Sequence, residues 1–126
     1  MDSVIRGQLL CNGDGTYTLP AYLRGYHAYK KNWTPILGDN SLVCIRDVNS
    51  EYDDTSVDIM YGDRKAGYVP KHLAYLFSPF LFYNGTITAQ VAGAAIDRGV
   101  GLEVPVDYIL KGDIKCIQLI LEMTSL

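Results

Sequence analysis

The sequence has few of the side chains on which catalytic and metal sites depend. It contains two histidines and three cysteines, and none of them falls into a metal-ligand or redox spacing such as HExxH or CxxC. There is no GxSxG nucleophile motif, and only the adjacent Asp53 and Asp54 support the hypothesis of metal-assisted hydrolysis. We therefore expect a non-catalytic protein without a metal ion or another cofactor.

Long apolar runs and excess positive charge are also lacking. No stretch approaches the roughly 18 consecutive apolar residues that span a membrane, and the first residues do not form a signal peptide. The widely spaced cysteines fit reduced thiols in an intracellular protein, nuclear or cytoplasmic. A net charge of −3 argues against binding nucleic acid by broad phosphate neutralisation, so any such binding must use a small local patch.

The residues that are plentiful favour one small β-rich domain over residues 1–126. Hydrophobic residues make up 48% of the chain and charged residues 20%, a balance typical of globular domains. Ten tyrosines, against three phenylalanines and one tryptophan, favour strands. The early cluster of Tyr17, Tyr22, Tyr26 and Tyr29 fits either a core or an interface. No repeat or linker marks a domain boundary.

Alternating and apolar segments predict about seven strands. They cover residues 3–10, 16–26, 41–46, 56–61, 65–69, 86–91 and 101–110. Pro20 suggests an edge position or a bend for the second of these strands, and Pro105 favours an edge position for the last. The apolar run 41–46 suggests a buried strand, whereas the polar, aperiodic segment 26–40 is expected to form a surface loop.

Residues 70–82 carry the clearest helix pattern. Pro70 suits a first helical position, and apolar residues from Leu73 to Leu81 recur on one face. Pro79 predicts that the last turn is irregular or separate. Residues 113–122 fit a strand or a short helix equally well.

A polar loop between two apolar strands is the candidate site. Residues 46–53 (RDVNSEYD) present Arg46, Asn49, Tyr52 and Asp53 within eight positions. Lys71 stands at the predicted helix start, where free N–H groups and the helix dipole attract anions. The group fits an anion-binding site beside a stacking aromatic, or an Asx-type turn that Tyr52 covers.

These residues also carry a family resemblance. The order G-Y-H-A-Y, an apolar strand, R-D-V-N-S-E-Y-D, S-V-D-I and G-Y-V-P-K-H-L-A, over about residues 19–93, resembles the HIRAN domain. The resemblance implies a small OB-like, modified β-barrel with one or two helices. It also implies recognition of the 3′ end of single-stranded DNA, the role of such domains in DNA-remodelling helicase-like proteins.

The resemblance assigns roles by position. It implies that Tyr52 stacks on the terminal base, that Asp53 accepts a hydrogen bond from the terminal 3′-hydroxyl group, and that Lys71 meets the backbone phosphate. Asn49 shapes the loop, and His27 stands where the family often has a phosphate-contacting arginine. With Arg46 from the loop and Tyr29, these residues form the predicted nucleic-acid-binding set.

Departures from the family pattern keep an alternative open. Ala28 stands where DNA-binding members have a stacking aromatic, a role that Tyr26 or Tyr29 must then fill, and Glu51 adds negative charge beside the phosphate site. The alternative hypothesis is an interaction module that binds a protein or a small ligand on the same fold, without binding DNA.

Overall fold

The structure is a computed structural model that describes residues 9–47, 56–99 and 101–124. Within these ranges the elements follow one another as β1 (Leu10–Cys11), β2 (Tyr17–Leu23), α1 (Tyr26–Tyr29), β3 (Leu42–Arg46), β4 (Val57–Tyr61), β5 (Arg64–Tyr68), α2 (Lys71–Phe82), β6 (Thr86–Val91), β7 (Ile96–Asp97), β8 (Leu102–Lys111) and α3 (Ile114–Thr124). The protein is mainly β, as the sequence predicts. It has three helices rather than one or two, because the single turn α1 is added.

The strands form one antiparallel sheet that curls on itself. Their order is β1-β2-β8-β6-β3-β4-β5, and β7 pairs with β8 outside this path. Among the described residues, the two sides of the curled sheet meet at a single bridge. In that bridge Arg24 and Tyr68 exchange two backbone hydrogen bonds of 3.0 Å. The result is an incompletely closed barrel whose seam runs between the end of β2 and the end of β5.

The inner faces of the strands and one face of α2 form the core. Alternate residues of β2, β4 and β8 are fully buried, including Leu19, Leu23, Ile59 and Tyr108. Phe77 of α2 meets the Tyr108 ring edge-on, with centroids 5.2 Å apart. The Tyr108 hydroxyl donates to the Tyr22 carbonyl at 2.7 Å, and burial raises the pKa of Tyr108 well above its ordinary value.

Two prolines occupy positions that differ from those predicted from the sequence. The helix α2 continues from Lys71 to Phe82 through Pro79, although proline cannot donate an intrahelical hydrogen bond. Strand β8 is central, between β2 and β6, although it contains Pro105. Pro105 lies one residue beyond the last β6 pair, and its carbonyl accepts the Ala92 N–H at 2.8 Å. The predicted edge position for Pro105 is therefore wrong.

The segment 26–40 is more ordered than a surface loop. It begins with α1, and Trp33 is buried in the core. The indole N–H of Trp33 donates to the Ala66 carbonyl at 2.9 Å, and the ring contacts those of Tyr26 and Tyr61. The polar neighbours of Trp33 concealed this anchor in the sequence.

Three other segments also refine the prediction. All of the segment 113–122 except its first residue belongs to helix α3, which resolves the choice between strand and helix. Strand β3 is buried on one face only, since Val43 and Ile45 are each 45% exposed. Of the predicted strand 3–10, only Leu9 and Leu10 fall within the described residues, and Leu10 belongs to β1.

Candidate functional site

A cleft of about 310 Å³ lies where β4 and β5 meet the start of α2. We call it the first cleft. It is lined by polar and charged side chains over a small apolar floor, namely Asp47, Ser56, Val57, Asp58, Lys65, Tyr68, Val69, Lys71 and Ala74. The walls thus combine two lysines, two aspartates and a half-exposed tyrosine.

A β-bulge brings two of these side chains together. Strict alternation along β5 would point Lys65 and Tyr68 to opposite faces of the sheet. The pairing with β4 shifts between Ile59 and Met60, so that Tyr68 pairs with Asp58 while Lys65 pairs with Met60. Ala66 and Gly67 are consequently both buried, and Lys65 and Tyr68 share the face of the first cleft.

Lys65 is held in place by a carboxylate and an aromatic ring. Its ammonium group lies 3.0 Å from Asp58 Oδ1 and 5.2 Å from the centre of the Tyr29 ring. Partial burial alone would lower the pKa of Lys65, but the hydrogen bond and charge of Asp58, with a smaller contribution from Tyr29, raise it above its ordinary value. Lys65 therefore stays charged at neutral pH.

Helix α2 begins at the edge of the first cleft. Pro70 precedes it in an extended conformation, and the Pro70 carbonyl accepts the Leu73 and Ala74 N–H groups at 2.9 Å. Pro70 supplies no side-chain cap, and Lys71, the first helical residue, is exposed. The positive end of the helix dipole and the Lys71 ammonium group thus act in the same direction.

The residues on either side of the segment 48–55, to which most of the predicted polar loop 46–53 belongs, line the first cleft. Asp47 donates its backbone N–H to the Ser56 carbonyl at 2.9 Å, and both residues line the cleft. Asn49, Tyr52 and Asp53 belong to the segment between them and lie outside the described residues.

The other predicted site residues fall in two groups. Lys71 lines the first cleft, and Tyr29 reaches it through its contact with Lys65. Arg46 is turned onto α2 instead, where its Nε donates to Ser78 Oγ at 3.0 Å and its guanidinium lies 5.0 Å from the Phe82 ring centre.

His27 is an exposed residue of α1 that does not line the first cleft. A Cβ atom added at Gly101 would lie 2.9 Å from His27 Nδ1, so the imidazole packs directly on the backbone near the start of β8. Of the predicted residues that the structure describes, Lys71 thus lines the first cleft and Tyr29 contacts its wall at Lys65, whereas His27 and Arg46 do neither.

A second cleft, of about 280 Å³, lies on the other side of the α2 start and escaped the sequence prediction. It is lined by Ala21, Tyr22, Arg24, Pro70, His72, Arg98 and Glu103. Glu103 is only 2% exposed, and its Oε2 lies 3.3 Å from Arg24 Nε and 3.7 Å from Arg98 Nη1. Because 79 positions separate Arg24 from Glu103, no local pattern could have joined them.

Two glycines fix the seam between the clefts. Gly25 has a φ of 77°, and a Cβ there would lie 2.4 Å from Tyr68 Cε1, so the Tyr68 ring rests on the Gly25 backbone. A Cβ at Gly67 would lie 2.4 Å from Leu23 Cδ2 and 2.5 Å from the Arg24 carbonyl oxygen. Only glycine permits this close approach of β5 to the end of β2.

The fold has counterparts among solved structures. No family model and no curated protein matches the sequence. The crystal structure of the HIRAN domain of human HLTF is similar with a TM-score of 0.62 and 17% identity, over 90% of this chain and 93% of that one. The chain has a HIRAN-type fold. The predicted resemblance to this family and the predicted OB-like barrel are thereby confirmed.

Two further structures share this HIRAN-type fold. The NMR structure of the HLTF HIRAN domain in its DNA-bound conformation has a TM-score of 0.58 and 16% identity, over 93% of this chain and 89% of that one. The crystal structure of a protein from Lactobacillus plantarum has a TM-score of 0.51 and 14% identity, over 75% of this chain and 98% of that one. At such identities the likeness concerns the fold, so the chemistry of the clefts is argued from this chain alone.

Within residues 9–47, 56–99 and 101–124, no three His, Cys, Asp or Glu side chains come together as metal ligands. No helix in these ranges is long and apolar enough to cross a membrane.

Proposed function

We propose that this domain is a non-catalytic module that binds the 3′ end of single-stranded DNA in the first cleft. The observation that carries the proposal is the convergence of Lys65, Lys71 and Tyr68 at the start of α2. Ammonium groups suit a backbone phosphate, and an exposed ring suits a base. The HIRAN-type fold supports the proposal, because the HLTF HIRAN domain has been solved in a DNA-bound conformation.

Lys71 is the proposed phosphate ligand. Its charge adds to the effect of the N–H groups of the first helical turn, which Pro70 does not cap and which favour an anion at this end of α2. Lys65 is more constrained, since Asp58 and the Tyr29 ring fix its ammonium group. We therefore assign to Lys65 and Tyr29 the shape of the cleft wall, and to Lys71 the direct contact.

We assign the recognition of the DNA 3′ end to the segment between Asp47 and Ser56. In this proposal Tyr52 stacks on the terminal base, Asp53 accepts a hydrogen bond from the 3′-hydroxyl group, and Asn49 shapes the segment. The contact between Asp47 and Ser56 supports these roles, because both ends of the segment border the first cleft.

His27 and Arg46 take outer positions in the proposal. Arg46 steadies the end of β3, immediately before the segment assigned to 3′-end recognition, by its hydrogen bond to Ser78 and its contact with Phe82. His27 is exposed on α1 and is assigned a peripheral contact with the DNA backbone. Their substitution is expected to affect affinity less than that of Lys71.

Fluorescence anisotropy with a short single-stranded oligonucleotide tests the phosphate contact. Lys71→Glu should weaken binding by about tenfold or more, because a charge-assisted contact becomes a repulsion. Lys115→Glu is the matched control, since Lys115 is exposed on α3 and lines neither cleft. Equal losses in the two variants would mean that only overall charge matters.

The same assay with a free or a phosphorylated 3′ end tests the recognition of the terminus. A 3′-phosphate should abolish the preference for the end, because it removes the hydroxyl donor and brings a negative charge to Asp53. Tyr52→Ala and Asp53→Asn should each weaken binding to the free end only. If blocked and free ends bind the wild type equally, end recognition is wrong.

The alternative function, an interaction module for a protein or a small ligand, is favoured by one observation. The two lysines of the first cleft face two aspartates, and the whole chain carries a charge of −3. In this case oligonucleotides should not bind measurably at a physiological salt concentration of about 0.15 M. A tight complex with short single-stranded DNA excludes this alternative.

A further inference from the structure

The second cleft presents more positive charge than the first. Among the described residues that line it, two guanidinium groups, from Arg24 and Arg98, face the carboxylate of Glu103, which leaves one positive charge unbalanced. In the first cleft, two lysines face two aspartates. An anion therefore gains more from the charge of the second cleft than from that of the first.

The two arginines keep hydrogen-bond donors free for a ligand. Glu103 is buried, whereas the side chains of Arg24 and Arg98 are 37% and 46% exposed. Among the described residues, Glu103 is the one polar group that each guanidinium contacts, and a guanidinium offers five N–H donors. The remaining donors line a cleft that is open to solvent.

Arg98 is also held in a fixed orientation. Its guanidinium lies 3.9 Å from the centre of the Tyr22 ring, which is a close cation–π contact. A planar guanidinium fixed in this way presents a fork of donors that matches two phosphate oxygens. The ring thus reduces the rotamer entropy that a free arginine loses on binding.

The two clefts are immediate neighbours. Lys71 lines the first cleft, and the residues on either side of it, Pro70 and His72, line the second. The seam joins them again, because Tyr68 of the first cleft exchanges backbone hydrogen bonds with Arg24 of the second. A DNA strand whose 3′ end lies in the first cleft would therefore reach the second cleft by passing the start of α2.

We propose that Arg24 and Arg98 form a second subsite, which binds a backbone phosphate of the strand whose 3′ end lies in the first cleft. That the bound phosphate belongs to single-stranded DNA rests on the proposed function, whereas the affinity for a phosphate group rests on the arginines alone. The buried carboxylate of Glu103 orients both guanidinium groups, and the Tyr22 ring completes the wall.

Oligonucleotide length separates the two subsites. Arg98 is the informative residue, because its 3.7 Å distance from Glu103 exceeds that of a hydrogen bond, and its removal leaves the Arg24 contact in place. Arg98→Gln should weaken the binding of a thymidine decanucleotide about tenfold and make its salt dependence shallower. Arg64→Gln, an exposed arginine at the start of β5, is the matched control and should change neither.

A thymidine dinucleotide should lose affinity in Lys71→Glu but not in Arg98→Gln, since it is too short to fill both clefts. Equal decanucleotide affinities of Arg98→Gln and the wild type would overturn the second subsite while leaving the proposed function intact. If Arg98→Gln weakens the dinucleotide as much as the decanucleotide, the second subsite is likewise wrong.

Inorganic phosphate tests the second subsite without DNA. In a titration at constant ionic strength, the side-chain Nε–Hε NMR signals of Arg24 and Arg98 should shift, and the Arg64 signal should not. If no oligonucleotide binds but these two signals shift, the proposed function fails and the subsite takes free phosphate. If neither signal shifts and Arg98→Gln has no effect on DNA, the subsite is refuted.

Discussion

The two clefts beside α2 use charge in opposite ways. In the first cleft, Lys65 and Asp58 form a partly exposed pair whose side chains are 32% and 18% exposed, so that positive and negative groups reach solvent together. In the second, the carboxylate of Glu103 is 2% exposed and the two arginines cover it. Burying the anion and exposing the cations turns an ion pair into a positive surface. Paired basic and acidic side chains therefore give a nearly neutral cleft in one place and a cationic cleft in the other.

The clefts nevertheless share their supporting structure. Both use the start of α2 as a wall, and both depend on the seam at which Arg24 and Tyr68 pair. A change at the seam should therefore disturb both clefts, whereas a change of charge in one cleft should leave the other unaltered. We therefore expect a larger effect from a change at the seam than from a change of charge in either cleft.

The largest effect is expected at the seam. In Gly67→Ala the new methyl group meets the Arg24 carbonyl oxygen at 2.5 Å, and backbone atoms cannot move aside as a side chain can. We expect the free energy of unfolding to fall by about 2 kcal/mol, as measured by urea denaturation. Affinity for phosphate and for DNA should fall as well, because both clefts lose their common edge.

Gly93→Ala is the matched control for the seam. Gly93 has no positive φ, and its nearest neighbour, Pro105 Cγ, would lie 3.3 Å from the new Cβ and belongs to a side chain. Its unfolding free energy should change by less than about 0.5 kcal/mol. Equal destabilisation of the two variants would show that the seam is no tighter than an ordinary strand end.

An intermediate effect is expected in the second cleft. Glu103→Gln keeps the volume of the side chain but removes the negative charge, so the protein should lose about 1–2 kcal/mol of stability. The cleft gains one positive charge, and phosphate should therefore bind several-fold more tightly. Glu122→Gln, an exposed change on α3, should alter neither property. A variant that is both less stable and weaker in binding would mean that the orientation of the arginines by Glu103 outweighs the repulsion between its charge and phosphate.

The sequence predicts the strands and α2 well because their alternation and spacing are local. Its failures have physical causes at particular residues. Pro105 can lie in a central strand because the ladder with β6 has already ended there, and Trp33 reaches the core across a polar segment by bonding to Ala66. Such outcomes depend on tertiary neighbours that a local pattern does not contain.

The candidate site was predictable to a similar degree. The predicted helix start indicates Lys71 as a site residue, and the resemblance to HIRAN domains assigns Lys71 and the polar loop to the same site. The contribution of Lys65 was hidden by the bulge at Ala66, which places Lys65 and Tyr68 on one face against the expected alternation. The cluster around Glu103 joins distant parts of the chain, so neither spacing nor composition indicates it.

The smallest change in unfolding free energy is expected in the first cleft, and this change should depend on pH. Asp58→Asn removes the partner that raises the pKa of Lys65, and it should cost about 0.5 kcal/mol at neutral pH, since the pair is partly exposed and solvent screens it. A raised pKa in the folded state gives stability that is complete below the ordinary lysine pKa and is lost as the pH rises through the folded value. The difference in unfolding free energy between wild type and Asp58→Asn should therefore vanish at sufficiently alkaline pH.

The second cleft should not respond to alkaline pH in this way. Arginine stays protonated far above the lysine range, so the stability difference between wild type and Glu103→Gln should persist where that of Asp58→Asn has disappeared. Urea denaturation of the three proteins across the alkaline range measures both differences under the same conditions. If both differences fade together, the alkaline loss reflects a general weakening of the fold. If only the Asp58→Asn difference fades, the lysine pair and the arginine cluster are electrostatically independent, although they flank the same helix start.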